Sequence, residues 1–178
     1  AAQESGRFKD EIVPVEVKQR KKTVIVDTDE GPREGQSMEK LAKLRPCFVK
    51  GGTVTAANSS SLNDGAAAVV VMSKEKAEEL GVSPKLKIGG YVIAGFDAEL
   101  MGYSPKFSSE KLAEKLGLDL KSIDMFEINE AFASQAYAVS RALGLDPEKV
   151  NIYGGGISIG HPIGATGAML TVKVMYEL

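Results

Sequence analysis

The fold is decided by residues 124–178, which read DMFEINEAFASQAYAVSRALGLDPEKVNIYGGGISIGHPIGATGAMLTVKVMYEL. The segment 124–128 is predicted to be a buried strand, and the pattern over 130–143 predicts a helix that ends at a glycine. A second strand is predicted over 150–153, and a helix over 166–178 follows a glycine-rich loop. Strands and helices that alternate at this spacing indicate an α/β layered fold.

The residues upstream extend this alternation. Two β-rich runs, 12–17 and 23–27, predict two strands joined by a solvated basic turn. The nearly continuous apolar run 66–72 is typical of a strand buried on both faces of a sheet. A helix over 74–80 is predicted next, with Ser73 as its N-cap and Gly81 as its end.

Three further elements complete the predicted alternation. A short helix is expected around Met38, Leu41 and Leu44 and should end at Pro46. A strand is predicted over 88–96, and another helix over 110–116.

Composition excludes several classes of protein. The 178 residues carry 22 Lys+Arg against 24 Asp+Glu, a net charge of −2, so no basic excess exists to bind nucleic acid. The 43% hydrophobic content is enough for a core, and no apolar run approaches the roughly 20 residues of a membrane span. One cysteine excludes an internal disulfide and fits the cytoplasm. The chain starts without Met and stops inside a helical run, so we expect it to be part of a longer protein.

The first candidate site is the turn that begins at Asn129, directly after the strand predicted over 124–128. In α/β folds, sites lie at the carboxyl ends of strands. The Asn129 side chain could cap the following helix, which is the common role of asparagine at such a junction. It could instead point its amide into a cleft and hold a water or a substrate carbonyl.

The second candidate site is the loop 154–167, which has six glycines in fourteen residues and contains His161, the single histidine of the chain. Its pattern lacks the third glycine of a dinucleotide-binding loop and the Gly-Lys-Ser/Thr of a P-loop. A lone histidine is often structural, but its place in a glycine-rich loop between strand and helix favours a functional role.

Cys47 and metal ligation are both predicted to play no part in the chemistry. Cys47 follows Pro46 with no helix N-terminus or glycine turn to lower its pKa, so we exclude it as a nucleophile. One histidine, one cysteine and no clustered carboxylates predict no metal site.

Four motifs of this sequence resemble those of the thiolase family, in particular its acetyl-CoA acetyltransferase branch, in order and spacing. The motifs cover the whole chain: Gly6-Arg7-Phe8 with Glu11-Ile12-Val13-Pro14-Val15, Thr53 to Ala68, Asn129-Glu130-Ala131-Phe132-Ala133, and Gly155 to Gly167. The resemblance implies a thiolase-like α-β-α-β-α layered fold that is incomplete in this chain. It also implies that residues 1–52 end the substrate-covering loop domain, residues 53–84 end the N-terminal domain, and residues 85–178 form most of the C-terminal domain.

The resemblance also implies roles for six residues. His161 would be the general base and part of an oxyanion site, which Asn129 would complete through a water. Ser60 would bind the pantetheine arm of coenzyme A, Met101 and Phe132 would line the pantetheine and acyl pocket, and Arg33 would lie near the nucleotide end. The family's nucleophilic cysteine would lie upstream of Ala1 and its second catalytic cysteine downstream of Leu178.

The implied reaction is the reversible Claisen condensation of two acetyl-CoA molecules to acetoacetyl-CoA and CoA through an acyl-cysteine. Coenzyme A would be a substrate carrier with no tightly bound cofactor, and the intact protein a homo-oligomer, a dimer or a tetramer. Two alternatives stay open. One is a degradative thiolase for longer 3-ketoacyl-CoA, although Met101 favours short chains, and the other is a non-catalytic CoA-binding module.

Overall fold

The computed structural model describes all residues, 1–178. Its two regular strands, β1 (Val15–Gln19) and β2 (Lys22–Val26), pair antiparallel with Val15 opposite Val26 and Gln19 opposite Lys22. The two-residue turn between them carries Arg20 and Lys21, which confirms the predicted hairpin. β1 begins after Pro14, which has no N–H to donate to a ladder.

Six α-helices follow in chain order, and most lie where the sequence predicts them. They are α1 (Met38–Leu41), α2 (Lys74–Leu80), α3 (Ser104–Leu116), α4 (Ala133–Ala142), α5 (Gly156–Ile159) and α6 (Thr166–Glu177). Three 3-10 segments lie between them: Ala98–Tyr103, Leu120–Ser122 and Pro147–Lys149. None of these helices is long and apolar enough to cross a bilayer.

The ends of the helices show which local signals were correct. The Ser73 side chain accepts a hydrogen bond from the Lys76 N–H, and Gly81 ends α2 at φ 62°, as predicted. α3 begins six residues earlier than expected, because Pro105 sits in its first turn, where a missing N–H costs nothing. α1 ends at Leu41, well before Pro46, and Met38 on it is exposed.

The strands predicted over 66–72 and 88–96 are wrong as ladder strands in this chain. Neither segment forms a strand or pairs with another part of the chain, and Val70 and Ile93 are 86% and 82% exposed. An apolar run is buried by its neighbours in a sheet, and none of the 178 residues supplies such a neighbour here.

The strands predicted over 124–128 and 150–153 meet in a single parallel bridge between Phe126 and Val150. The Phe126 N–H donates to Lys149 O at 2.7 Å, and the Asn151 N–H donates to Phe126 O at 2.8 Å. This short pairing brings the turn after residue 128 and the loop after residue 153 to the same side of the molecule.

The buried residues of the chain are concentrated around the glycine-rich loop. Six of the ten buried residues belong to the glycine-rich loop and α6: Gly155, Gly156, Gly160, Pro162, Thr166 and Lys173. On α4, Ala136 and Val139 are buried, as the predicted apolar face requires. The most enclosed part of the chain is therefore the part that carries His161.

Candidate active site

His161 is held at both nitrogens of its ring. Its Nδ1 lies 2.6 Å from Thr166 Oγ1, and that hydroxyl donates to Pro162 O at 3.0 Å. Because the hydroxyl has one hydrogen, it must accept from Nδ1, which assigns the proton of a neutral imidazole to Nδ1. The lone pair of His161 therefore resides on Nε2, the nitrogen that can take up a proton.

Asn129 faces this second nitrogen. Its Nδ2 lies 3.3 Å from His161 Nε2, across the 32 residues that separate the two turns. The capping interpretation of Asn129 is wrong, because α4 begins only at Ala133 and its N-cap position, Phe132, makes no side-chain hydrogen bond. The structure thus brings together the two residues that the sequence singled out, and both are partly buried.

The side-chain oxygen of Asn129 takes no part in this contact. Its Oδ1 is buried and has no hydrogen-bond partner. A buried acceptor without a partner costs free energy, about 1–3 kcal/mol in typical cases. The side chain is therefore held in this orientation by its surroundings, with its amide N–H groups directed toward the histidine.

Glu130 and Asn151 hold the two turns together, and sequence reasoning missed both. The Glu130 carboxylate accepts from Asn151 Nδ2 at 3.0 Å and from the Ile157 N–H at 3.1 Å. The Asn151 side chain also bonds both backbone groups of Ile128, accepting at 2.8 Å and donating at 2.9 Å. A signal was available, since asparagine before a glycine run tolerates positive φ, and Asn151 has φ 48°.

Gly160 shows why the loop needs glycine directly before His161. Its φ is +97°, and a β-carbon there would lie 2.2 Å from Asn63 Oδ1. The backbone of the next residue is tied down as well, because the His161 N–H donates to Ser61 O at 3.3 Å. The segment around Ser61 therefore fixes the backbone at His161.

Ser60 lies beside the Asn129 turn. Both its Oγ, at 3.1 Å, and its N–H, at 3.0 Å, donate to Ala131 O. With its hydrogen engaged in this way, the Ser60 oxygen keeps lone pairs that can accept from a ligand N–H.

Phe132 lines a cavity of about 550 Å³ whose other walls include Phe48, Val54, Leu100, Tyr103 and Gln135. Met101 does not line it, although its neighbours Leu100 and Gly102 do, and its side chain is 69% exposed. The structure thus places Phe132 on an apolar cavity and Met101 at the surface next to it.

Arg33 and Cys47 are not brought to the histidine. Arg33 is exposed in the loop after β2, two residues from Gly31, where a β-carbon would lie 2.6 Å from Ser158 O. Cys47 is an exposed free thiol, and the ring nitrogens of His161 bond Asn129 and Thr166 instead. The structure has no group of three or more His, Cys, Asp or Glu side chains arranged to hold a metal ion.

A buried cluster of charges lies behind the glycine-rich loop. The Lys173 ammonium lies 3.0 Å from Glu127 Oε2 and 3.9 Å from Glu177 Oε1, and all three side chains are almost fully buried. Burial raises the pKa of Glu127 to about 7, although the Lys173 ammonium acts to lower it. The sequence offered one signal for this cluster, a lysine between two valines in a largely apolar helix.

Fold and site together define a layered α/β protein with a histidine and an asparagine paired across two strand-to-helix turns. The family description "Thiolase, N-terminal domain" matches residues 1–75, and "Thiolase, C-terminal domain" matches residues 82–178. The chain belongs to the thiolase family, as its motifs predicted.

Three relatives show how close the similarity is. The chain is 54% identical over 177 residues to an acetyl-CoA acetyltransferase of Syntrophomonas wolfei, which covers 98% of this chain. The crystal structure of the Bacillus anthracis acetyl-CoA acetyltransferase matches 99% of the chain with TM-score 0.97 and 51% identity. Human mitochondrial 3-ketoacyl-CoA thiolase matches 99% with TM-score 0.90 and 38% identity.

These relatives are much longer than the chain. The 178 residues span 44% of the Syntrophomonas protein and 45% of each of the two solved chains.

Proposed function

We propose that the protein carrying this chain is an acyltransferase that interconverts two acetyl-CoA with acetoacetyl-CoA and CoA. The observation that carries the proposal is the pair formed by His161 Nε2 and Asn129 Nδ2, 3.3 Å apart, with Nδ1 fixed by Thr166. The family membership and the acetyl-CoA acetyltransferases among its relatives support the same reaction.

In the proposed reaction, the unprotonated Nε2 of His161 is the proton acceptor. A cysteine thiol outside residues 1–178 gives up its proton to this nitrogen and attacks the acetyl thioester carbonyl. The carbonyl becomes a tetrahedral oxyanion, and CoA leaves as its thiol with a proton from the family's second catalytic cysteine, which also lies outside residues 1–178. An acyl-cysteine remains, and His161 keeps the proton on Nε2. Splitting the transfer in this way replaces one difficult step by two easier ones.

The second half uses the same two residues as hydrogen-bond donors. The thiolate of the second cysteine takes a proton from the methyl group of a second acetyl-CoA, and the enolate carbon attacks the acyl-cysteine. Acetoacetyl-CoA forms, and the released cysteine thiolate takes back the proton from His161. The enolate oxygen needs donors already in place, and a protonated His161 Nε2 with a water held by the Asn129 amide can supply them. The loss of one such donor typically costs about 10²–10³ in rate.

The remaining site residues bind the thioester in this proposal. The Ser60 hydroxyl accepts an N–H of the pantetheine arm, and Phe132, with Met101 at the rim, contacts the pantetheine and acyl chain. Arg33 lies toward the nucleotide end of CoA. We also propose that domain boundaries follow residues 52 and 84, that the intact protein is a homo-oligomer, and that it is cytoplasmic.

The test is thiolysis of acetoacetyl-CoA by the whole protein and by its His161→Ala variant. We expect turnover to fall about 10²–10⁴-fold, the usual contribution of a positioned acid–base group. CoA binding, measured by calorimetry, should change less than threefold. Unchanged turnover in a folded variant would exclude this role of His161 and favour a CoA-binding module without catalysis.

A second candidate is a degradative thiolase for longer chains, which the similarity to human mitochondrial 3-ketoacyl-CoA thiolase supports. Comparing kcat/KM for acetoacetyl-CoA and for a 3-ketoacyl-CoA of eight or more carbons separates the two. A preference of about tenfold or more for the longer substrate would favour this second candidate.

A further inference from the structure

Helix α6 buries polar side chains and leaves apolar ones partly exposed. Its two buried residues are Thr166 and Lys173, which are 7% and 4% exposed. They are seven residues apart, two helical turns, so both point to the same face of the helix. This polar face contacts the glycine-rich loop at two places.

Side chains of α6 form hydrogen bonds with the glycine-rich loop near both of its ends. At the exit, the Thr166 hydroxyl bonds His161 Nδ1 and Pro162 O. At the entry, the Lys173 ammonium donates to Gly154 O at 2.5 Å. Gly154 turns the chain into the loop with φ +93°, and its N–H donates to Asn151 O at 2.8 Å.

The Lys173 ammonium also contacts the segment that leads to Asn129. Lys173 Nζ lies 3.0 Å from Glu127 Oε2, and Glu127 is two residues before Asn129. A buried ammonium is costly unless it is paired and hydrogen-bonded, and these two contacts satisfy that requirement. One charged group therefore joins α6, the entry of the loop that carries His161 and the segment that leads to Asn129.

We propose that Lys173 is a positioning residue for the acyl transfer, because it sets the placement of His161 relative to Asn129. This inference rests on the proposed function. Lys173 touches neither side chain directly and acts through Gly154 and Glu127. A displacement of about 1 Å at reacting groups can cost 10²-fold in rate.

The test compares two lysine variants of the whole protein, Lys173→Met and Lys149→Met. Lys149 is the matched control, because its Nζ also donates to a backbone carbonyl, Ile123 O at 2.8 Å, at the far end of the paired segments. For Lys173→Met we expect kcat of thiolysis to fall tenfold or more, with KM within threefold. For Lys149→Met we expect kcat within twofold of wild type, whatever its effect on thermal stability.

If Lys173→Met does not fold, a more conservative substitution at the same position provides the test. Lys173→Gln retains a donor, but its side chain is one bond shorter and cannot reach Gly154 O, so we expect at least a fivefold loss of kcat. Thermal unfolding shows which variants are folded at the assay temperature. An unchanged kcat in folded Lys173→Gln, or an equal loss in Lys149→Met, would overturn the inference.

His161→Ala in the same assay separates the two hypotheses. If it retains full thiolysis, the proposed function fails and the inference fails with it. If it is inactive while the folded Lys173 variants turn over normally, only the positioning role of Lys173 is overturned.

Discussion

At the scale of single residues, the proposed role of His161 depends on which of its two ring nitrogens carries the proton. The Thr166 hydroxyl accepts a hydrogen bond from His161 Nδ1–H and donates one to Pro162 O, which leaves Nε2 as the nitrogen that faces Asn129. The sequence predicted the two partners, His161 and Asn129. It gave no reason to assign the tautomer, because that assignment needs the geometry of a hydroxyl five residues away.

Removing the Thr166 hydroxyl tests this assignment. Thr166→Val keeps the shape of the side chain but lets the Nδ1 proton move to Nε2, so we expect kcat of thiolysis to fall tenfold or more. Thr171→Val is the control, because the Thr171 hydroxyl also donates to a carbonyl four residues back, Gly167 O at 2.9 Å, on an exposed part of α6. Equal turnover in the two variants would show that Thr166 does not set the tautomer.

At the scale of elements, local signals predicted helices well and strands poorly. The N-cap Ser73 and the left-handed Gly81 act within a few residues, so the sequence near α2 specifies both of its ends. The runs 66–72 and 88–96 have the composition of strands, but a ladder needs a neighbour, which a local pattern does not supply. The Glu130–Asn151 bridge was missed for the same reason, since its partners are 21 residues apart.

The buried cluster behind the loop makes stability depend on pH. Burial raises the pKa of Glu127 to about 7, so the folded protein binds more protons than the unfolded chain between about pH 4.5 and pH 7. The free energy of unfolding therefore falls as pH rises through this window. Burial also raises the pKa of Glu11 and of Asp29, which adds to the slope in the same direction.

The Glu127→Gln variant isolates the contribution of Glu127 to the pH dependence of stability. Between pH 5 and pH 8, we expect wild type to lose on the order of 1–3 kcal/mol more stability than this variant. Urea unfolding at the two pH values measures the difference. Glu148→Gln removes an exposed carboxylate and serves as the control. If Glu127→Gln and Glu148→Gln show the same pH dependence as wild type, Glu127 does not hold a proton at neutral pH.

At the scale of the whole molecule, the chain exposes much apolar surface. Only ten of its 178 residues are buried, and the segments 66–72 and 88–96 have no ladder partner and expose large apolar side chains. Such edges favour pairing with another chain. The layered arrangement predicted from the alternation of strands and helices is therefore incomplete within these residues.

We expect the isolated 178-residue chain to self-associate at micromolar concentration, which sedimentation velocity would detect. Placing a lysine on each open segment, as Val70→Lys and Ile93→Lys, should reduce the association, because a charge on an edge opposes pairing. Lysine at the exposed position Leu118, outside both segments, is the control. A monomeric chain that unfolds in one cooperative transition would contradict this expectation.

The central claim is that His161 and Asn129 act on the same developing charge, and a double-mutant cycle tests it most directly. The measurement is kcat for thiolysis of acetoacetyl-CoA by the whole protein as wild type, His161→Ala, Asn129→Ala and the double variant. We expect Asn129→Ala to lose about 10²–10³ in kcat, and the double variant to be no slower than His161→Ala alone, since residues that act as a unit are not additive. Losses that multiply in the double variant, or an Asn129→Ala protein with wild-type kcat, would contradict a shared oxyanion site.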